Sequence, residues 1–401
     1  MSDSAQANSA GRNLIICCDG TNNQFQKENT NVIRLVQLLD RDHAKQRLYY
    51  QPGIGTFPEP NALTKWWTKS YDVLGLAFGL GVIKNIEDAY RFLMEIWEEG
   101  DRIFLFGFSR GAYTVRVLAG MLHAVGLLGH GSNEMIPYAM RLYKQLNEHS
   151  GSADQLEEWK KLCTNFRWTF ARPMFDGDRH CCVHFIGVWD TVSSVGWVAN
   201  PAKFPFTKNN PSISIIRHAV SIDERRAFFR ENLFNRAIPQ QDLTEIWFPG
   251  SHCDIGGGYP TIFSTNPDVK SELWRLSFNW LVDEAVKAGL LIDLDRRAIV
   301  VPPESPPRNI WADPMHDSLV GLWPLAEHWP KKTWNSQTKK YEYKAGNITP
   351  RTIPEGALID KSALERLKDK PLNYAPQNMS TEFRQNVLSL QGMPAVLAYK
   401  Q

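Results

Sequence analysis

The chain has 401 residues, a length that fits one large α/β unit with insertions or two to three smaller domains. It contains 45 Lys plus Arg and 43 Asp plus Glu, and this near balance argues against a nucleic-acid groove or a polybasic membrane patch. With 43% hydrophobic and 22% charged residues, the composition is that of a globular protein and excludes disordered, collagen-like and coiled-coil chains.

Residues 1–12 are polar and lack the basic and apolar regions of a signal peptide, so we expect a disordered N-terminus and no secretion by that route. The apolar stretch 73–83 is short and contains three glycines, so we do not expect it to span a bilayer. The six cysteines lie mostly in apolar segments rather than at regular loop spacings. This pattern favours reduced thiols and a cytoplasmic location.

Between residues 13 and 126, apolar segments of strand length alternate with helical periodicities, which predicts βαβ units and a parallel sheet. The run 14–18 is almost continuously apolar, as in a strand buried on both faces. In chain order, the predicted elements are a strand at 14–18, a helix at 31–39, a strand at 47–50, a helix at 84–97, a strand at 103–106 and a helix after it.

The second half of the chain is less regular. Residues 129–179 look like an insertion with at least one helix, and two further strands are predicted at 181–189 and 244–248. A helical face from Leu273 to Ala285 ends at Gly289. Residues 301–334 carry seven prolines and four tryptophans, so we expect a long wrapped loop there.

A G-x-S-x-G sequence, Gly107-Phe108-Ser109-Arg110-Gly111, stands between a predicted strand and a predicted helix. In a nucleophile elbow, side chains two positions before and after the serine would collide with neighbouring backbone, so small residues are required there. Such a turn lifts the Ser109 hydroxyl above the sheet, at a helix N-terminus that favours developing negative charge.

A serine hydroxyl needs a base to take its proton and an acid to orient that base. Asp190 follows the apolar strand of FIGVWDTV, and His252 follows the next predicted strand in the glycine-rich EIWFPGSHCDIGGGY. The order Ser, Asp, His is that of α/β-hydrolases, and catalytic groups gather at the carboxyl edge of such sheets. Taken alone, Asp190 could be a turn cap and His252 a surface histidine.

Two backbone amides are expected to stabilise the oxyanion, one from the residue after the nucleophile and one from the loop after the first strand. Arg110 matches the first position, and Gly20 or Thr21 in CDGTNN the second. Asp19 and Thr21 could instead simply close an Asx-type turn.

Rival sites are weaker. CDGT is similar to the start of aspartate-nucleophile phosphatases, but Cys17 occupies the position of the nucleophilic carboxylate. The alternating His180, Cys182 and His184 lack a second ligand cluster with zinc-like spacing. The glycines of the 73–83 stretch do not form a dinucleotide motif. We therefore expect neither a metal nor an organic cofactor.

The aromatic stretch 57–80 allows two interpretations. It contains Phe57, Trp66, Trp67, Tyr71 and Phe78 among few charges, which suits a mobile apolar cap that contacts a membrane surface transiently. A buried connection that covers the sheet is the interpretation we favour.

Five segments together resemble the α/β-hydrolase family that was first catalogued as a domain of unknown function and that includes phospholipase effectors of bacterial type VI secretion systems. They are CDGTNN, QPGIGT, GDRIFLFGFSRGAYTVRVLAG, GVWDTV and FPGSHCDIGGGYP, within residues 13–290. The resemblance implies a Ser-Asp-His ester hydrolase, with Ser109 as nucleophile, Asp190 as acid and His252 as base, acting on phospholipids as the best-known substrates. It also allows export by a specialised secretion system and a cognate inhibitor or adaptor protein.

These observations predict an α/β-hydrolase fold with a parallel-dominated sheet and helices on both faces. The hydrolase domain covers residues 13–298, with an insertion at about 129–179, and residues 299–401 form a Pro- and Trp-rich extension packed on it. The predicted function is that of a serine ester hydrolase working through an acyl-enzyme on lipid or phospholipid carboxylic esters, without nucleic-acid partners. The alternative is a catalytically silent binding protein with the same fold.

Overall fold

The computed structural model describes residues 11–20, 28–53, 71–148, 153–174, 179–192, 204–226, 229–263, 266–304, 306–320, 331–335, 340–344 and 350–400. The strands are β1 (Asn13–Cys18), β2 (Gln46–Gln51), β3 (Arg102–Phe108), β4 (Val183–Trp189), β5 (Ile213–Ser221), β6 (Asp242–Phe248), β7 (Ile262–Phe263), β8 (Asn266–Lys270), β9 (Lys331–Asn335), β10 (Lys340–Lys344), β11 (Leu358–Asp360) and β12 (Val396–Ala398). The α-helices are α1 (Asn31–Leu38), α2 (Tyr71–Ile96), α3 (Arg110–Val125), α4 (Ile136–Glu148), α5 (Ala153–Phe170), α6 (His252–Gly256), α7 (Trp274–Lys287), α8 (Leu294–Val300), α9 (Lys361–Lys368) and α10 (Thr381–Ser389).

Within the described residues, the main sheet has eight strands in the order β12-β11-β6-β5-β4-β3-β1-β2. Every neighbouring pair in it is parallel except β11 with β12 at one edge. The pairs β7/β8 and β9/β10 form two small antiparallel sheets. This arrangement confirms the predicted mixed α/β fold with a mostly parallel sheet.

Alternating side chains of β1 enter two separate cores. Leu14 and Ile16 pack in a cluster with residues of α2 and α3, whereas Ile15 and Cys17 pack in a second cluster with residues of α1 and α7. Because successive side chains of a strand point to opposite faces, helices cover both faces of the sheet. The continuous apolar run of β1 is therefore explained by burial on both sides.

Strand β5 was not among the predicted strands, and the predicted strand at 244–248 is β6. Arg217 and His218 interrupt the apolar pattern of β5, and both find partners in the folded chain. The guanidinium of Arg217 donates to Asp242 at 2.7 Å and to Glu284 at 2.6 Å, and the His218 ring donates to Glu245 at 2.7 Å. Carboxylate partners supplied by other elements thus offset the cost of burying these groups.

Helices α4 and α5 follow α3 and pack against it and against each other. Helix α2 begins 13 residues before the predicted start at residue 84. In the described part of the chain, no helix is both long and apolar enough to cross a bilayer.

The C-terminal region contributes strands to the main sheet. The predicted loop 301–334 ends in β9, which pairs with β10. Further on, β11 pairs with β6 and β12 closes that edge of the sheet. Helices α9 and α10 pack in a third core cluster, which includes Trp247 of β6. The last fifty residues therefore extend the sheet that carries the candidate site.

Candidate active site

A strained turn joins β3 to α3 at Ser109. The residue has φ 58° and ψ −119°, and a positive φ is rare for a residue with a side chain. Its N–H donates to the carbonyl oxygen of Trp189 at 3.0 Å, which ties the turn to the end of β4. The Ser109 side chain is consequently held at the carboxyl edge of the sheet, where helix α3 begins.

The two glycines of the G-x-S-x-G sequence lie where no side chain fits. A Cβ at Gly107 would lie 2.6 Å from the backbone nitrogen of Ala112 in α3. A Cβ at Gly111 would lie 2.1 Å from the carbonyl oxygen of Cys18 at the end of β1. Backbone atoms cannot move aside cheaply, so the turn requires glycine at both positions.

Asp190 and His252 come from two other strand ends at the same edge of the sheet. Asp190 follows β4 and has φ 40°, and its N–H donates to the carbonyl oxygen of Ala219 at 2.7 Å. His252 is the first residue of α6, whose N-terminus is closed by a capping box between Ser251 and Asp254. The strained turn thus fixes the backbone position of Asp190, and the helix cap fixes that of His252.

The structure brings the three predicted side chains into one hydrogen-bonded chain. Nε2 of His252 lies 2.8 Å from Oγ of Ser109, and Nδ1 of His252 lies 2.5 Å from Oδ2 of Asp190. All three residues are buried. With Nδ1 donating to the carboxylate, Nε2 is the nitrogen that can accept the serine proton.

The local charges keep Asp190 ionised and His252 neutral near neutral pH. Burial tends to raise the pKa of Asp190, but the Arg351 guanidinium and the His252 hydrogen bond outweigh it and hold that pKa well below its usual range. Burial lowers the pKa of His252, and its bond to Asp190 offsets this only in part. A neutral imidazole beside an ionised carboxylate is the state that can accept a proton from a serine.

The imidazole of His252 is held by its surroundings as well as by Asp190. Its ring lies between Phe108 and Phe229, with ring centroids 4.7 Å and 4.8 Å away. Its backbone N–H donates to the Glu224 carboxylate at 3.2 Å. These contacts restrict rotation of the ring, so its two nitrogens stay directed at different partners.

The candidate oxyanion donors are in different situations. The N–H of Arg110 belongs to the first residue of α3, where a helix offers its N-terminal amides. The N–H of Gly20 donates to the Asp19 carboxylate at 2.7 Å, so in this conformation it is already engaged. This bond joins adjacent residues and is not the bond to the second following residue that defines an Asx-type turn. Asp19 also accepts from the Thr30 hydroxyl at 2.6 Å. Thr21 lies outside the described residues.

Sequence reasoning missed Arg351. Its guanidinium is buried and donates to both carboxylate oxygens of Asp190, at 2.5 Å to Oδ1 and 2.9 Å to Oδ2. Arg351 lies 161 positions after Asp190, in the proline-flanked ITPRTIP. Neither spacing nor periodicity links two such positions, so only the folded chain reveals the pair.

Residues of the rival sites have other surroundings. Burial raises the pKa of the Cys17 thiol well above its ordinary value, as expected of a core cysteine. The rings of His180 and His184 bond to two different backbone carbonyls, those of His123 and Ala288. No group of three or more metal-ligating side chains occurs among the described residues.

The structure describes only the last ten residues of the aromatic stretch 57–80. Residues 57–70 lie outside the described part of the chain, and residues 71–80 form the first turns of α2.

A relative from yeast matches more than two thirds of the chain. Over 287 residues, the chain is 39% identical to the Saccharomyces cerevisiae protein YEL023C, described as uncharacterized. The match covers 70% of this chain and 40% of the yeast protein, so the chain spans about two fifths of that relative's length.

Two solved structures are also similar. A crystal structure of an uncharacterized protein from Pseudomonas aeruginosa is 17% identical with a TM-score of 0.40, and it covers 94% of this chain and 61% of the other. The structure of the Tle1 effector bound to the VgrG spike from the Type 6 secretion system is 19% identical with a TM-score of 0.34, and it covers 64% and 52%.

The family model for the type VI secretion phospholipase effector Tle1-like catalytic domain matches residues 12–284. This span is more than half of the chain, and it contains all three residues of the hydrogen-bonded chain at the sheet edge. The resemblance drawn from the five sequence segments is thereby confirmed. The chain belongs to the family of Tle1-like phospholipase effector catalytic domains.

Proposed function

We propose that the protein is a serine ester hydrolase of the α/β-hydrolase type, with Ser109 as nucleophile, His252 as general base and Asp190 as the acid that orients it. The observation that carries this proposal is the pair of hydrogen bonds through His252, 2.8 Å to Ser109 and 2.5 Å to Asp190. The strained Ser109 turn at a helix N-terminus supports it further, because strain of this kind clusters at functional sites.

In the acylation step, Nε2 of His252 takes the Ser109 proton while Oγ attacks the ester carbonyl carbon. The tetrahedral intermediate then breaks its bond to the alcohol, and the imidazolium returns the proton to the leaving oxygen. In the second step, water loses a proton to His252 and attacks the acyl carbonyl carbon. The tetrahedral intermediate then breaks its bond to Oγ of Ser109, the imidazolium returns the proton to that oxygen, and the carboxylic acid is released. Asp190 stays ionised throughout and stabilises the transient imidazolium.

The oxyanion would be stabilised by the Arg110 amide together with the amide of Gly20 or Thr21. For Gly20 to serve, the Asp19 side chain must turn away from the amide that it now accepts from at 2.7 Å. The N-terminus of α3 supplies a favourable field for the same charge.

Lipid or phospholipid carboxylic esters are the proposed substrates. This assignment rests on membership of a phospholipase effector family. A transient contact with a membrane surface would bring such substrates to the site. We extend the proposal to an adaptor or inhibitor protein as partner, because the solved Tle1 effector is bound to a VgrG spike.

A fluorophosphonate probe tests the chemistry. Wild type should be labelled stoichiometrically, and Ser109→Ala should lose the label and about 10⁴- to 10⁶-fold in kcat. Ser389→Ala, on the exposed face of α10, is the matched control and should behave as wild type. Absence of labelling in well-folded wild type would instead favour a silent binding protein.

Mass spectrometry of the products tests the substrate class. Wild type and Ser109→Ala would be incubated with a panel of phospholipids, neutral lipids and short soluble esters. Release of free fatty acid from phospholipid by wild type alone supports the proposed substrates. Turnover confined to the short esters contradicts the lipid assignment and leaves the serine chemistry intact.

A further inference from the structure

The C-terminal region places a cation directly on the proposed catalytic acid. Arg351 lies beyond residues 12–284, the span matched by the family model. Its side chain is 1% exposed, as is that of Asp190. Besides the carboxylate, the guanidinium donates to the backbone carbonyl oxygens of Ser221 at 3.2 Å and Phe229 at 3.0 Å.

We propose that Arg351 is a positioning residue that fixes the ionised Asp190 carboxylate against His252 and lowers the proton affinity of the Asp190–His252 pair. The C-terminal region thereby forms part of the catalytic apparatus. The inference rests on the proposed function for its consequences in catalysis. Its physical content, a cation that controls the Asp190–His252 pair, is measurable in the absence of turnover.

The first argument is geometric. Oδ1 of Asp190 accepts from the Ser221 N–H at 2.9 Å and from Arg351 at 2.5 Å. Oδ2 accepts from Arg351 at 2.9 Å and from His252 at 2.5 Å. A guanidinium that bridges both oxygens in this way prevents rotation of the carboxylate. The oxygen that faces His252 is therefore held in place by the arginine.

The second argument is electrostatic. The charged groups that act on His252 include the carboxylates of Asp190 and Glu224, which favour the imidazolium, and the guanidinium of Arg226, which opposes it. Arg351 itself also lies 3.9 Å from a carboxylate oxygen of Glu231. Arg226 and Glu224 pair with each other at 2.8 Å, so their effects largely cancel. Arg351 then decides how much of the Asp190 charge the imidazole experiences, because both donate to the same oxygen.

Loss of the Arg351 charge has a defined direction. An unneutralised buried carboxylate binds a proton more tightly, and it also stabilises an imidazolium beside it more strongly. Whichever atom carries the proton, the Asp190–His252 pair keeps it to a higher pH. The active, deprotonated form would then appear only at higher pH.

Three variants separate this role from a structural one. Arg351→Met removes the charge and keeps much of the side-chain volume, whereas Arg351→Lys keeps the charge but cannot bridge both carboxylate oxygens. Arg116→Met is the matched control, since Arg116 is 1% exposed and its three donating nitrogens bond to the backbone carbonyls of Thr207, Asn232 and Leu233.

The primary measurement is the pKa of His252 by NMR titration of histidine-labelled protein, assigned with His252→Gln. We expect Arg351→Met to raise this pKa by about one unit or more, and Arg351→Lys and Arg116→Met to leave it within about half a unit. The acidic limb of kcat/KM should move by the same amount. An unchanged His252 pKa in Arg351→Met overturns the proposal.

The Lys variant decides the matter if the Met variant fails to fold. It should lower kcat about tenfold with little change in KM, because the carboxylate is no longer held by two bonds. If Arg351→Met does not fold, an Arg351→Lys variant with wild-type kcat overturns the positioning role. If wild type neither reacts with the fluorophosphonate probe nor hydrolyses esters, the proposed function fails, and the NMR comparison of Arg351→Met and Arg351→Lys still decides this inference.

Discussion

The buried pair of Asp190 and Arg351 predicts a large and strongly non-additive effect on stability. Both side chains are 1% exposed, and two hydrogen bonds join them. Removing one partner of such a pair leaves an uncompensated buried charge, which costs about 3–5 kcal/mol in unfolding free energy. We expect Asp190→Asn to lower the unfolding free energy by that amount, although asparagine is nearly isosteric with aspartate.

The double variant Asp190→Asn, Arg351→Met should be less destabilised than the sum of its parts. Neither charge of the pair remains in it, so the remaining cost comes from the backbone carbonyls of Phe229 and Ser221, which lose their donor, and from the Glu231 carboxylate, which loses its cation at 3.9 Å. Each orphaned buried acceptor costs about 1–3 kcal/mol, and the single variant Arg351→Met carries the same cost, so it cancels in the cycle. The cycle should therefore show a coupling of at least about 2 kcal/mol.

Urea denaturation at pH 7, followed by tryptophan fluorescence and circular dichroism, measures the four corners of the cycle. The half-exposed pair Arg91–Asp88, with side chains 40% and 33% exposed, is the control, and Asp88→Asn should cost less than about 1 kcal/mol. Effects at Asp190 and Arg351 that add within about 0.5 kcal/mol would refute the reasoning.

Three further predictions concern the turn, a buried carboxyl group and the base. Gly111→Ala should destabilise the protein by about 1–3 kcal/mol in urea melts and remove hydrolysis, because the Cβ would meet the Cys18 carbonyl at 2.1 Å; a gain of about 1 kcal/mol from helix propensity would contradict this. Burial raises the pKa of Asp223 from 3.8 to about 6, so the native state holds its proton longer than the unfolded chain and wild-type stability falls as the pH rises through this window. Asp223→Asn should gain about 3 kcal/mol on wild type between pH 4 and pH 7 in urea melts, and a pH-independent difference would contradict it. Because burial lowers the pKa of His252, kcat/KM of wild type should rise with pH through an apparent pKa below the 6.5 of a free imidazole, and a midpoint above 6.5 would contradict the assignment.

Local sequence patterns were enough to predict the elements that form the carboxyl edge of the main sheet. The apolar run of β1, the strand before Ser109 and the glycines around it all report constraints that act within a few residues. The order of Ser109, Asp190 and His252 along the chain identified side chains that meet in the structure, since parallel strands bring their carboxyl ends to one edge. Family membership followed from the same segments.

Other features depend on contacts between distant parts of the chain. Strand β5 escaped prediction because Arg217 and His218 are tolerated only through acidic partners on other elements. The hydrogen bond from the Gly20 amide to Asp19 depends on the rotamer of one side chain, which the sequence does not predict.

What the sequence by itself determined is the parallel architecture and the identity of the three candidate groups, because periodicity and turn chemistry are local properties. The tertiary structure alone decided that the C-terminal region completes the sheet and that Arg351 bridges Asp190. A salt bridge across 161 positions exists only when packing brings two charges together and excludes water, and no pattern of neighbouring residues encodes that.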